Sequence, residues 1–176
     1  MTLWRILGFL CAARFIIYRN VKMFKGEFVI HPGTPQEIIV PNNVMENGQF
    51  RFMEALFHQA TRALTSFDIG LFDEVPAHTA DLADVSTEPS AAGGYARITR
   101  TSAVANWSLT TVNGETYSES TIMTWTATGA AFSRAFSRLF IMETGGEILA
   151  YSSPLPNPIT LLDTQSFSAQ YRLFNR

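Results

Sequence analysis

The sequence predicts a mainly β fold: an antiparallel β-sandwich or jelly-roll-like body, one amphipathic α-helix at about 44–64 packed on it, and an N-terminal arm in front. Three observations predict this. Short stretches rich in Val, Ile, Thr and aromatics recur between turn-forming Gly, Pro, Asn and Asp. A single segment repeats its apolar residues at helical spacing. The closing segment alternates Phe167, Ala169, Tyr171 and Leu173 with Ser166, Ser168, Gln170 and Arg172, the pattern of a strand with one buried and one wet face.

The arm comes first. Residues 1–25 carry Arg5, Arg14, Arg19, Lys22 and Lys25 and no acid, while residues 26–176 hold eight basic against fifteen acidic groups. A basic arm therefore precedes an acidic body. The apolar run Ile6–Ala13 is too short to span a bilayer and is flanked by Arg5 and Arg14, so no transmembrane helix is expected. A signal peptide is a poor match, because the apolar run is at the short limit and is preceded by one charge. Two readings of residues 1–22 follow: an arm that docks on a partner, or an overextended start with Met23 as the working one.

The body, 26–176, is expected to be a single β-rich domain, long enough to bury its own core. Cys11 is the only cysteine, so neither an intrachain disulfide nor a multi-cysteine zinc site can form. Phe28-Val29-Ile30 and Ile38-Ile39-Val40 flank His31-Pro32-Gly33-Thr34-Pro35, which predicts a hairpin. The helix follows, with Phe50, Met53, Phe57, Ala60 and Leu64 on one face, Leu56 widening the stripe, and Asn43 as a cap three residues before Glu46. Strands are then expected at 67–72, 95–101, 106–110, 116–128, 135–142, 147–152 and 166–174, with a long loop from Thr79 to Gly94. Asn113-Gly114 is the strongest hairpin signal, because both residues tolerate positive φ.

Catalytic chemistry finds few footholds. His31 falls in a turn, His58 on the helix and His78 in an acidic loop, and no serine occupies a Gly-x-Ser-x-Gly elbow. Glu115, Glu119, Glu143 and Glu147 largely adjoin turns, which reads as solvated turn flanks rather than a glycosidase pair. His78, Asp81 and Asp84 match no calcium-loop spacing, and Gly93-Gly94 and Gly145-Gly146 lack the form of phosphate loops. The acidic body, without a Lys/Arg cluster, is a poor surface for nucleic acid. No catalytic, cofactor or metal residue is therefore assigned. With 16% charged residues and many hydroxyls, the composition suits a surface that neighbours cover.

One resemblance bears on occupation. The ordered blocks Leu82-Ala83-Asp84, Thr87-Glu88-Pro89, Gly93-Gly94-Tyr95-Ala96-Arg97, Trp107, Ala127-Thr128-Gly129, Phe140-Ile141, Gly145-Gly146-Glu147-Ile148-Leu149-Ala150 and Pro154-Leu155, with the alternating last strand, resemble small virion proteins of tailed bacteriophages. The likeness covers roughly Ala80 to Phe174. It departs at Leu162-Asp163-Thr164-Gln165, where that group has a Gly-Asp pair. It implies a β-sandwich without cofactor or enzymatic activity, made in the host cytoplasm and carried on the particle surface as capsid cement or tail-fibre module. Its partners would be copies of itself and a capsid shell or tail protein. Candidate interaction residues are Arg5, Arg14, Arg19, Lys22, Lys25, Tyr95, Arg97 and Trp107. The alternative is a carbohydrate- or receptor-binding fibre module, with Trp4, Trp107, Trp125, Tyr95, Tyr117 and Tyr151 as the aromatic platform.

Overall fold

The structure is a computed structural model, and it describes residues 24–57, 64–76, 85–112 and 115–175. Among these, ten strands form one antiparallel sheet and a single α-helix packs on it. The strands are β1 (Phe24–Ile30), β2 (Ile38–Val44), β3 (Ser66–Phe72), β4 (Ile98–Thr101), β5 (Trp107–Val112), β6 (Glu115–Ser120), β7 (Met123–Thr126), β8 (Arg138–Glu143), β9 (Ile148–Ser152) and β10 (Ser166–Asn175). The helix, α1, spans Glu46–Phe57. The strand order is β4-β3-β8-β9-β2-β1-β10-β6-β5, with β7 pairing separately to β10. The sheet curls into a half-barrel, with strands making up 48% of the described residues.

The first hairpin forms as its turn chemistry requires. β1 and β2 pair from Ile30↔Ile38 to Glu27↔Pro41. Between them His31 and Gly33 both take positive φ, and Thr34 Oγ1 donates to the His31 carbonyl at 2.8 Å. β1 begins at Phe24, so Lys25 belongs to the body's first strand, opposite Phe174.

The two sides of the curl bury different numbers of faces. In β10, Phe167, Ala169 and Tyr171 are buried and their neighbours are not, the alternation expected of a one-sided strand. In β3 and β8 the buried run is continuous: Ile69, Gly70, Leu71 and Phe72, then Leu139, Phe140, Ile141 and Met142. Period-two alternation sends Ile69, Leu71, Leu139 and Ile141 into the main core inside the curl, with Phe28, Ile30, Trp125, Phe136 and Phe167. Phe72, Phe140 and Met142 emerge on the other face, where Met45 and Ile148 join them in a second, smaller core. Each large apolar side chain so buried contributes on the order of 1.5–3 kcal/mol.

The helix departs from expectation at its start and at Phe50, while the side chains of Met53, Leu56 and Phe57, and Ala60, lie outside the described residues. It starts at Glu46, Asn43 lies in β2 and caps nothing, and 58–63 lie outside the described residues. Phe50, placed at the head of the expected apolar stripe, is 63% exposed, whereas Met45, Gly48, Arg51 and Phe52 are buried. The reason is the way the helix meets β9. The Met45 N–H bonds the Leu149 carbonyl at 2.8 Å, and Gly48 lies against the same peptide so closely that a methyl there would sit 2.7 Å from the Leu149 carbonyl carbon. Backbone-to-backbone docking through a glycine selects the face, and Phe50 is left outside. Arg51, 1% exposed, reaches both oxygens of Glu143, at 3.0 Å from Nε and 2.8 Å from Nη2, and also pairs with Glu54. Burial disfavours its charge, yet these carboxylates outweigh burial and hold its pKa above the ordinary value.

Three strands are also corrected. The stretch 116–128 is two strands, β6 and β7, broken at Thr121-Ile122. There the Ser120 hydroxyl accepts the Tyr171 N–H at 3.0 Å and its carbonyl accepts from Gln170 Nε2, replacing regular ladder bonds to β10. β4 begins at Ile98, because Tyr95 turns into the core rather than joining the ladder. β8 begins at Arg138, Phe136 making only an isolated bridge to Ile159. Gly93, Gly94 and Gly145 take positive φ, as turn residues do.

Candidate interaction surface

The curled sheet has two ends, β4 and β5, and they differ. β4 has four residues and includes Arg100, whose guanidinium donates to the carbonyls of Thr99 at 3.1 Å and Ile122 at 3.2 Å. Its last residue, Thr101, is tied to the start of β5: the carbonyl accepts Trp107 Nε1 at 2.8 Å, and Oγ1 accepts Asn106 Nδ2 at 2.7 Å. A single 3₁₀ turn, Val104–Asn106, bridges them, so the ends meet at this corner.

β5 then runs away from the corner as the outer strand of a hairpin. It pairs with β6 from Trp107↔Ser120 to Val112↔Glu115, and Asn113 and Gly114, the expected hairpin turn, lie outside the described residues. Among the described residues, the ladder between β6 and β10 runs to Phe174↔Tyr117. Glu115 and Thr116 pair with Val112 and Thr111 of β5. Thr111 and Thr116 share a hydroxyl bond of 2.9 Å across this pairing. β5 itself, Trp107-Ser-Leu-Thr-Thr-Val112, contains no charged residue, proline or glycine. Leu109 on it is 81% exposed, and Val104 in the preceding turn is exposed too.

On the concave side, Trp107 marks the mouth of the curl. A cavity of about 220 Å³ lies there between Phe67 and Ile141 of β3 and β8 and Trp107, Tyr171 and Leu173 of β5 and β10, with Phe52 of α1 at its edge. The indole meets Phe67 edge-on at 5.6 Å and Tyr171 at 6.5 Å. Its ring nitrogen is already bonded to Thr101, so the exposed part of Trp107 offers apolar surface and no free donor.

Tyr95 and Arg97 belong to an internal cluster with Glu88. The buried Tyr95 hydroxyl donates to Glu88 Oε1 at 2.5 Å and accepts the Leu71 N–H at 2.9 Å. Arg97 Nε donates to Glu88 at 2.8 Å while its guanidinium lies 5.4 Å from the Phe140 ring centre. Burial first, and the Glu88 carboxylate second, drive the Tyr95 phenol far above its usual pKa. The Glu88 hydrogen bond raises Arg97 against the opposing effect of burial. This cluster fastens the segment after residue 85 to β3. A similar group spans the other half of the sheet, where Arg172 bonds Glu119 at 2.5 Å and Glu27 at 3.3 Å.

The sequence-chosen interaction residues thus occupy separate places. Trp107 is at the curl's mouth, Tyr95 is in the core, Arg97 is paired inside the chain and Lys25 is on β1. Arg5, Arg14, Arg19 and Lys22 lie outside the described residues, as do Trp4, His58, His78, Asp81 and Asp84. Among the other aromatics, Trp125 is buried, while Tyr117 and Tyr151 are half-buried beside Arg172 and Arg138. Leu109 was not singled out by sequence, and its only signal is an apolar residue inside a Ser/Thr run beside the Asn-Gly turn.

Among the described residues, no three His, Cys, Asp or Glu side chains are grouped to hold a metal, and no helix is long and apolar enough to cross a membrane. No family model, curated protein or solved structure matches the chain.

Proposed function

We propose that this chain is a non-catalytic structural protein on the exterior of a tailed-phage particle. It acts as capsid cement or a fibre-associated module through contacts with copies of itself and a shell or tail protein. The curled sheet serves as a sandwich-like scaffold. The observation that carries the reading is the open end of that sheet: β5 presents an uncharged strand edge with Leu109 exposed, a surface that another chain completes. The outer hydroxyl pairs support it. Thr124 with Ser168 and Thr126 with Ser166, at 2.9 and 2.8 Å, give the β7–β10 surface polarity without charge, which costs little to cover. The likeness of the segment from Ala80 to Phe174 to phage virion proteins supplies the setting. An antibody against the chain, coupled to gold, should decorate the outside of intact particles purified from a lysate. Label found only in the soluble fraction, with none on particles, refutes the proposal.

A further inference from the structure

We infer that the outer edge of β5, which has no partner strand among the described residues, is a seam at which two copies of this chain pair strand to strand, continuing the sheet across a twofold axis. The inference rests on the assembly reading above and names its first contact. Sheet ends are usually guarded against pairing by charge, proline, a bulge or a covering segment. The β4 end carries Arg100, and its last residue is tied back to Asn106 and Trp107. The β5 end has six residues with neither charge nor proline, pairs with β6 without a register shift, and beyond Trp107, whose N–H bonds the Val104 carbonyl, runs on as an uncharged edge.

The hairpin strengthens the case. Among the described residues its ladder to β10 reaches only as far as Tyr117, so along most of its length β5 is bordered by a strand on one side, and a third strand steadies such a ribbon in water. A second β5 supplies that strand on the open side. Antiparallel pairing about a twofold axis perpendicular to the sheet keeps like faces together, so Leu109 meets Leu109 of the second copy and Trp107 meets Thr111. Two leucines now exposed would cover one another, and no like charges would face across the seam. Glu115 and Glu119 stand on β6, one strand further back. By contrast β4 paired with itself would bring two Arg100 groups together. Self-complementarity is what favours a second copy over an unrelated strand as the occupant.

The test is sedimentation equilibrium over a wide concentration range on the full chain, with Leu109→Lys, Leu109→Glu and their mixture. The wild type should show a monomer–dimer equilibrium, and each variant alone should associate at least about tenfold more weakly, since an apolar contact becomes a like-charge one. Mixing the two variants should restore the dimer, which a folding defect could not do; unchanged far-UV circular dichroism checks the folds. Dimers of Leu109→Lys as strong as the wild type, or a mixture that fails to associate, would overturn the seam. So would a wild type that stays monomeric throughout. Gold labelling of particles separates the outcomes: label with an unaffected dimer removes the seam and leaves the assembly reading, whereas no label removes that reading.

Discussion

Replacing Gly48 by alanine sets helix propensity against docking. Propensity favours the change, because alanine in a helix interior is about 1 kcal/mol better than glycine, and less than that in a first turn. Docking opposes it. A methyl at position 48 would lie 2.7 Å from the Leu149 carbonyl carbon and 2.9 Å from its Cα, where ordinary contact begins at 3.4 Å. Every atom it meets is backbone, so no side chain can rotate aside. The helix must retreat from β9, straining the Met45 to Leu149 hydrogen bond of 2.8 Å and the buried contacts of Arg51 and Phe52. A lost hydrogen bond costs about 1 kcal/mol and overpacking about 1–3 kcal/mol, so the net expectation is a destabilisation of about 1–3 kcal/mol. Urea unfolding followed by tryptophan fluorescence reads this directly, with the exposed neighbour Gln49→Ala as a control that should stay within about 0.5 kcal/mol. A Gly48→Ala protein as stable as the wild type, or more so, would show that α1 does not rest on the β9 backbone.

Other predictions concern the buried tyrosines. Tyr95→Phe removes the hydroxyl that joins the Leu71 N–H to Glu88 and should cost about 1–3 kcal/mol, because a buried donor loses its partner; an unchanged urea midpoint would refute that role. Stability should also fall at high pH. Burial raises the phenol pKa of both Tyr171 and Tyr95 in the folded state, so both keep their protons after the unfolded chain begins to lose them near pH 10. Their contribution is intact below that pH and should decline by about 1.4 kcal/mol per pH unit for each tyrosine as pH rises above it. Tyr171→Phe should reduce the slope, and a flat profile from pH 9 to 11 would contradict the burial of these rings.

Much of this fold was legible where the information is local. The His31–Pro35 turn, the alternation of β10 and the strand pairs on either side of Asn113-Gly114 all follow from a few consecutive residues. The seating of the helix start was not legible. Counting apolar residues favours Phe50 and passes over Gly48 and Arg51, whose burial depends on Leu149 and on Glu143, ninety-two positions away. The break between β6 and β7 was hidden for a similar reason: it exists because the Ser120 hydroxyl stands in for a ladder bond to Tyr171. For the surface, sequence drew attention to Trp107 but could not say that β5 is an end strand, since strand order is set by pairings far apart in the chain. Tyr95 looked like contact surface and is core, because an aromatic residue carries no mark of which side of a turn it faces.

Whether β5 is a seam between copies is decided by hydrogen exchange at its backbone, compared between dilute and concentrated protein. Amides of Ser108–Val112 not bonded to β6 should exchange fast when dilute and slow markedly when concentrated, while α1 and β10 stay unchanged. Equally fast exchange of those amides at both concentrations, in a sample that sediments as a dimer, would contradict it.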